Sequence, residues 1–101
     1  MSRPYTEKEL CENLIHHIHM LIDYWDNKPE TSKNKLHGLA FGILAAIGSE
    51  SMAVPCKYKL VADPSPEDKE YHISNNDNYV EPGMVINNDY KLHHIFIKQR
   101  N

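Results

Sequence analysis

The chain has 101 residues and a mass of 11.7 kDa, a length that predicts a single globular domain over residues 1–101 with one modest core. Eleven basic and fourteen acidic residues leave a formal charge of −3 at neutral pH, so there is no basic field of the kind that grips nucleic acid or an anionic membrane. Hydrophobic residues make up 41% and charged residues 25%, which is the mix of a folded chain and argues against disorder.

The first predicted helix starts at Thr6. Thr6-Glu7-Lys8-Glu9 has the form of a capping box, in which the threonine hydroxyl accepts from the Glu9 amide and the Glu9 carboxylate reaches back. Leu10, Leu14, His17, Leu21 and Tyr24 or Trp25 then recur at steps of three and four. Ile15, Ile18 and Ile22 widen that stripe into a core-facing arc. Glu12, His16, His19, Asp23 and Asp26 form the polar edge. The helix should end near Asn27, because Lys28-Pro29 stops it.

A second helix is predicted from Thr31 or Ser32 to Ile47. From Leu36 onward it is apolar on almost every side, the signature of a buried helix. Gly38, Gly42 and Ala46 fall four residues apart and make a smooth strip for close backbone approach, within the fold or across a dimer. Each mid-helix glycine costs about 1 kcal/mol relative to Ala, which close packing must offset. Gly48 reads as the residue just past the helix end.

The period then changes. Cys56, Tyr58 and Leu60 alternate with Lys57, Lys59 and Val61, which predicts a half-exposed strand. Ser65-Pro66 reads as a cap and first helical residue, opening a turn or two of helix through Tyr71. Asn75-Asn76-Asp77-Asn78 is loop chemistry, and Tyr79-Val80 reads as a bridge of strand. Glu81-Pro82-Gly83 is a turn that needs a positive φ at the glycine, and Met84-Val85-Ile86 is a second short apolar run. The segment 88–99 fits a helix capped by Asn88, with a strand as the alternative. The predicted fold is α+β: a two-helix hairpin with a buried second helix, a small antiparallel sheet and a C-terminal helix.

Two cysteines, Cys11 and Cys56, lack zinc-finger spacing and read as reduced thiols. The N-terminal MSRPYTEKEL does not read as an export signal. The longest apolar run, Leu39 to Ile47, is nine residues, against about twenty for a membrane span. These features predict a cytoplasmic protein with no membrane partner and no sequence-specific nucleic acid partner.

The motifs from Leu36 onward carry a resemblance. Leu36-His37-Gly38-Leu39-Ala40-Phe41-Gly42-Ile43-Leu44 comes first, then Pro55 and Tyr58-Lys59-Leu60, then Asp63-Pro64-Ser65-Pro66-Glu67-Asp68-Lys69-Glu70, and finally Leu92-His93. In this order they resemble a family of small phage and prophage proteins. That family's pattern runs from an LxGxAFxIL helix through LDG and PxFxLxPxPxxDDxEF to a terminal LHELF. Gly48-Ser49-Glu50-Ser51 departs from LDGES, and His94 stands where the family has an acidic residue. The resemblance implies a phage-type accessory protein and carries no catalytic assignment across.

Three groups of side chains are candidate sites. Glu12, His16, His19 and Asp23 project from one helix edge, where His16 with His19 or His19 with Asp23 could grip a divalent ion given a third ligand; a solvated edge of helical ion pairs explains the same residues. Lys57, Tyr58, Lys59, Lys69, Tyr71 and His93 combine cations with aromatic surface, a set that suits a small anionic, planar ligand such as a nucleotide; a strand edge guarded by lysines is the plain alternative. Asp63, Glu67 and Asp68 could form a carboxylate pair, but they also suit a helix N-terminus. No nucleophile elbow, Walker loop or dinucleotide fingerprint is present.

The functional expectation is a non-enzymatic binding protein of phage accessory type, acting in the host cytoplasm. It would block or sequester a host component, a small nucleotide immune signal being one form. No cofactor is expected, and the partners are further copies of the chain and either a small anionic ligand or a host protein. A histidine-based metal-dependent hydrolase and a structural homo-oligomer are the alternatives.

Overall fold

The structure, a computed structural model, describes residues 2–48, 54–88 and 91–99. Four helices run in chain order: α1 (Glu7–Asp26), α2 (Ser32–Ile47), α3 (Pro66–Ser74) and α4 (Leu92–Lys98). The chain divides into two compact units, Met1–Tyr58 with Lys91–Asn101, and Lys59–Tyr90.

In the first unit α1 opens on the predicted capping box. The Glu9 amide donates to the Thr6 hydroxyl at 3.1 Å, and the Thr6 amide donates to the Glu9 carboxylate at 3.0 Å. The same carboxylate receives two guanidinium bonds from Arg3, at 2.6 and 2.8 Å. Asn27 closes the helix, its side-chain amide donating to the Asp23 carbonyl at 2.9 Å. Thr31 then caps α2, accepting from the Asn34 amide at 3.2 Å. Lys35 donates to the Asp26 carbonyl at 3.0 Å, tying the start of α2 to the end of α1.

The half-buried face of α1 carries Leu10, Leu14, His17, Leu21 and Trp25, the stripe that the spacing predicts, but Ile15 and Ile22, expected to widen it into the core, are exposed. It packs on α2 through the glycines. A side chain at position 38 would run into the Trp25 indole, and one at 42 would meet the Leu21 methyl groups at 3.1–3.2 Å. The strip of Gly38, Gly42 and Ala46 therefore serves the contact between the two helices, and Ala46 is fully buried.

α2 is not the interior rod that its composition predicts. Only Ala45 and Ala46 are buried along it, and Leu36 is 66% exposed. Nor does Gly48 take a left-handed turn: its φ is −81°, so no glycine is required there for conformational reasons. α4 packs on the other side of α2, with the His93 imidazole edge-on to the Phe41 ring at 5.4 Å and the Phe96 ring 5.5 Å from His37. Segment 91–99 is thus a helix and not the alternative strand. It starts after Lys91, with no side-chain cap, and not at Asn88. The departure from the family pattern at 49–51 lies outside the described residues.

The second unit overturns the expected α+β class. Among the described residues there is no strand and no sheet, and the only pairing is an isolated antiparallel bridge between Val61 and Val85. Two bonds frame it: the Ala62 amide donates to the Met84 carbonyl at 2.8 Å, and the Ile86 amide to the Leu60 carbonyl at 3.0 Å. The ladder stops because both ends are diverted. The Leu60 amide donates to the Asn87 side-chain oxygen at 2.8 Å, and the Ala62 carbonyl accepts from Gly83 at 2.8 Å. Gly83 sits in the predicted turn with φ +89°. Cys56 to Leu60 and Tyr79-Val80, read as strand, are irregular. α3 has a second capping box, between Ser65 and Asp68, with Pro66 at its first position, and runs past Tyr71 to Ser74.

Candidate functional site

The six residues singled out for ligand binding fall in both units. Lys57, Tyr58 and His93 belong to the first, and Lys59, Lys69 and Tyr71 to the second. Tyr58 is pinned to the end of α2, its amide donating to the Ile47 carbonyl at 2.8 Å. Its ring is half-buried, and burial pushes the phenol pKa up, with the neighbouring Cys56 side chain adding to the rise. Lys57 and Lys59 are exposed. His93 is 3% exposed and packed between Phe41 and His94, so its place is in the α2–α4 contact and not on a binding surface.

In the second unit Lys69 reaches from α3 to the Glu81 carboxylate at 2.9 Å, with its ammonium 5.3 Å from the centre of the Tyr79 ring. Glu81 raises the Lys69 pKa, which keeps this lysine charged and engaged. Tyr71, two residues on, is 64% exposed and edge-on to His72. Lys69 and Tyr71 belong to the ligand set expected from the sequence, and Glu81 does not. The signal for Glu81 was its place just before Pro82-Gly83, where a turn brings the chain back.

Glu12, His16, His19 and Asp23 stay on the exposed edge of α1. Among the described residues no three His, Cys, Asp or Glu side chains are gathered closely enough to share an ion. Asp63, Glu67 and Asp68 flank or enter α3, where Asp68 is used as the N3 partner of the Ser65 cap.

No family model, no curated protein and no solved structure matches this chain. No helix among the described residues is long and apolar enough to cross a membrane.

What the Lys59–Tyr90 unit offers a partner is side-chain surface. Val61, Tyr71, Ile73, Tyr79, Val80 and Met84 are all exposed, and its buried described residue is a polar one, Asn87. The Asn87 side chain is used internally, on Leu60. The first unit has a different exposed feature, on the side of α1 and α2 away from α4. There Ile22, Trp25, Leu36 and Leu39 line a shallow groove of about 330 Å³.

Proposed function

We propose that this chain is a non-enzymatic binding protein that blocks a host component, of the phage accessory type its motifs resemble, acting in the host cytoplasm as a homo-oligomer. The observation that carries this reading is the exposed aliphatic and aromatic surface of the Lys59–Tyr90 unit. Exposed apolar side chains mark a protein contact surface where they form one patch, which is how this reading takes them. Tyrosines add area with little loss of side-chain freedom and keep a polar tip.

Between a protein and a nucleotide as the blocked component, the Lys69 contacts favour the protein. A phosphate would have to displace Glu81 from Lys69, whereas a partner's backbone and apolar side chains can settle beside Tyr71 and Tyr79 without breaking that pair. The test is a photoreactive residue placed at position 71 or 79 of the full chain in bacterial cells. One discrete covalent adduct with a host protein is expected, and Val80→Asp or Met84→Asp should remove it. If neither position gives an adduct while calorimetry shows saturable nucleotide binding, the component is a nucleotide. Silence in both assays ends the proposal.

A further inference from the structure

We infer that the side of the α1–α2 hairpin away from α4 is where a second copy of this chain docks, with α1 pairing antiparallel to its counterpart. This specifies the homo-oligomer of the reading above and uses a different unit from the proposed host contact.

Cys11, Ile15, Ile18 and Ile22 follow one another at steps of four, three and four, the seam spacing of paired helices. Cys11, Ile15 and Ile22 lie beside the face that meets α2 through Leu21 and Trp25, and Ile18, half-buried, stands at the border between the two. Ile15 is 49% and Ile22 42% exposed, Cys11 is exposed, and Leu36 continues the patch from α2. The other side of α2 is already covered by α4 through Phe41 and His37. The hairpin is therefore covered on one side and open on the other.

Charge decides the occupant and its direction. An antiparallel two-fold pairing that sets Ile15 opposite Ile18 of the second copy also sets Cys11 opposite Ile22. It brings Lys8 to Asp26 of the second copy at both ends and Glu12 to His19 on the flank. Lys8, Glu12, His19 and Asp26 are all exposed, and Lys8 holds Glu12 only at 3.8 Å, so both side chains can turn to the new partners. A parallel in-register pairing would instead set Lys8 against Lys8 at the seam, which like-charge repulsion opposes, and would bring neither of these pairs together. Lys8 and Asp26 thus complement a second copy in one direction, and Lys8 repels itself in the other.

Sedimentation velocity on the full chain should give twice the 11.7 kDa mass. Ile22→Asp and, separately, Leu36→Asp should give the single-chain mass with an unchanged circular dichroism spectrum. Leu36 is exposed enough for its variant to keep the fold if Ile22→Asp does not. Lys8→Glu should weaken the dimer about tenfold, and Lys8→Glu with Asp26→Lys should restore it. Direction is read with thiols in a Cys56→Ala background. Ile22→Cys should give a disulfide-linked dimer through Cys11 of the other copy. The two thiols of one copy lie eleven residues apart on one helix, about 16 Å, too far to join to each other. A single-chain mass for the unaltered protein, a dimer indifferent to both Asp variants, or efficient Cys11-to-Cys11 linkage without the position-22 thiol would overturn the inference.

Discussion

The Trp25 indole occupies the space where a side chain at position 38 would project, so Gly38 is the residue that lets the end of α1 close on α2. One turn further along, Gly42 leaves the Leu21 methyl groups 3.1–3.2 Å from the position of an added carbon. The two glycines look alike in sequence but sit under different neighbours. Gly38→Ala should destabilise the hairpin by about 1–3 kcal/mol, as overpacking does, because a rigid ring must move. Gly42→Ala should fall near neutral: Leu21 can yield a few tenths of an ångström by rotating, and the helix gains up to about 1 kcal/mol in propensity. Urea unfolding of the two variants side by side measures the difference, and equal costs would contradict the geometry.

The Arg3 guanidinium, followed by the Thr6 amide, holds the Glu9 carboxyl at about 2, below its ordinary 4.5. The pKa is lowered in the folded state, so this contribution to stability is present above about 4.5. It fades as pH falls toward 2, when the folded-state carboxylate takes its proton. A carbon-detected NMR titration should place the Glu9 midpoint well below that of the same residue in urea. The pair is solvent-exposed, so added salt should move the midpoint back up. Arg3→Ala should do the same without salt.

Asn87 is buried, and its side-chain oxygen accepts the Leu60 amide at 2.8 Å. Asn87→Ala leaves that amide without this acceptor and should cost about 1–3 kcal/mol in the Lys59–Tyr90 unit. Amide exchange at Leu60 should accelerate most. An unchanged exchange rate at Leu60 would show that the bond is not held in solution.

α4 is seven residues long, too short to be helical without a neighbour. Its hold on α2 includes the His93 ring edge-on to Phe41. Phe41→Ala should cost about 2–3 kcal/mol, below the range for a fully buried phenylalanine because this one is half-buried. Protection of the α4 amides from exchange should collapse while that of α1 persists. If α4 stays protected in Phe41→Ala, the helix is held by something other than this contact.

Local chemistry was legible in the residues at several places where a short-range rule applies, though not at Gly48 or Asn88, which do not take the helix-end roles expected of them. The Thr6 and Ser65 caps, the stop at Pro29 and the left-handed Gly83 each depend on neighbours within a few positions, and the structure uses each as expected. The strands failed for a physical reason. An alternating run such as Cys56 to Val61 becomes a strand only if a partner satisfies its amides in register. Here Asn87 and Gly83 divert the two bonds that would have extended the single bridge. The candidate site was less legible still, because its residues were grouped by chemistry along the chain. The pairing of Lys69 with Glu81 and the burial of His93 depend on where the chain turns back.

The amino-acid order by itself therefore determined where α1, α2 and α3 begin, where α1 and α2 end, and which stripe of α1 turns inward, since capping and helical periodicity act over one or two turns. Tertiary packing decided that the glycine strip faces α1 through Trp25 and Leu21, that α4 covers one side of α2, and that Ile15, Ile22 and Leu36 stay exposed. Those outcomes follow from competition among apolar faces for a limited interior, which no local window of sequence contains.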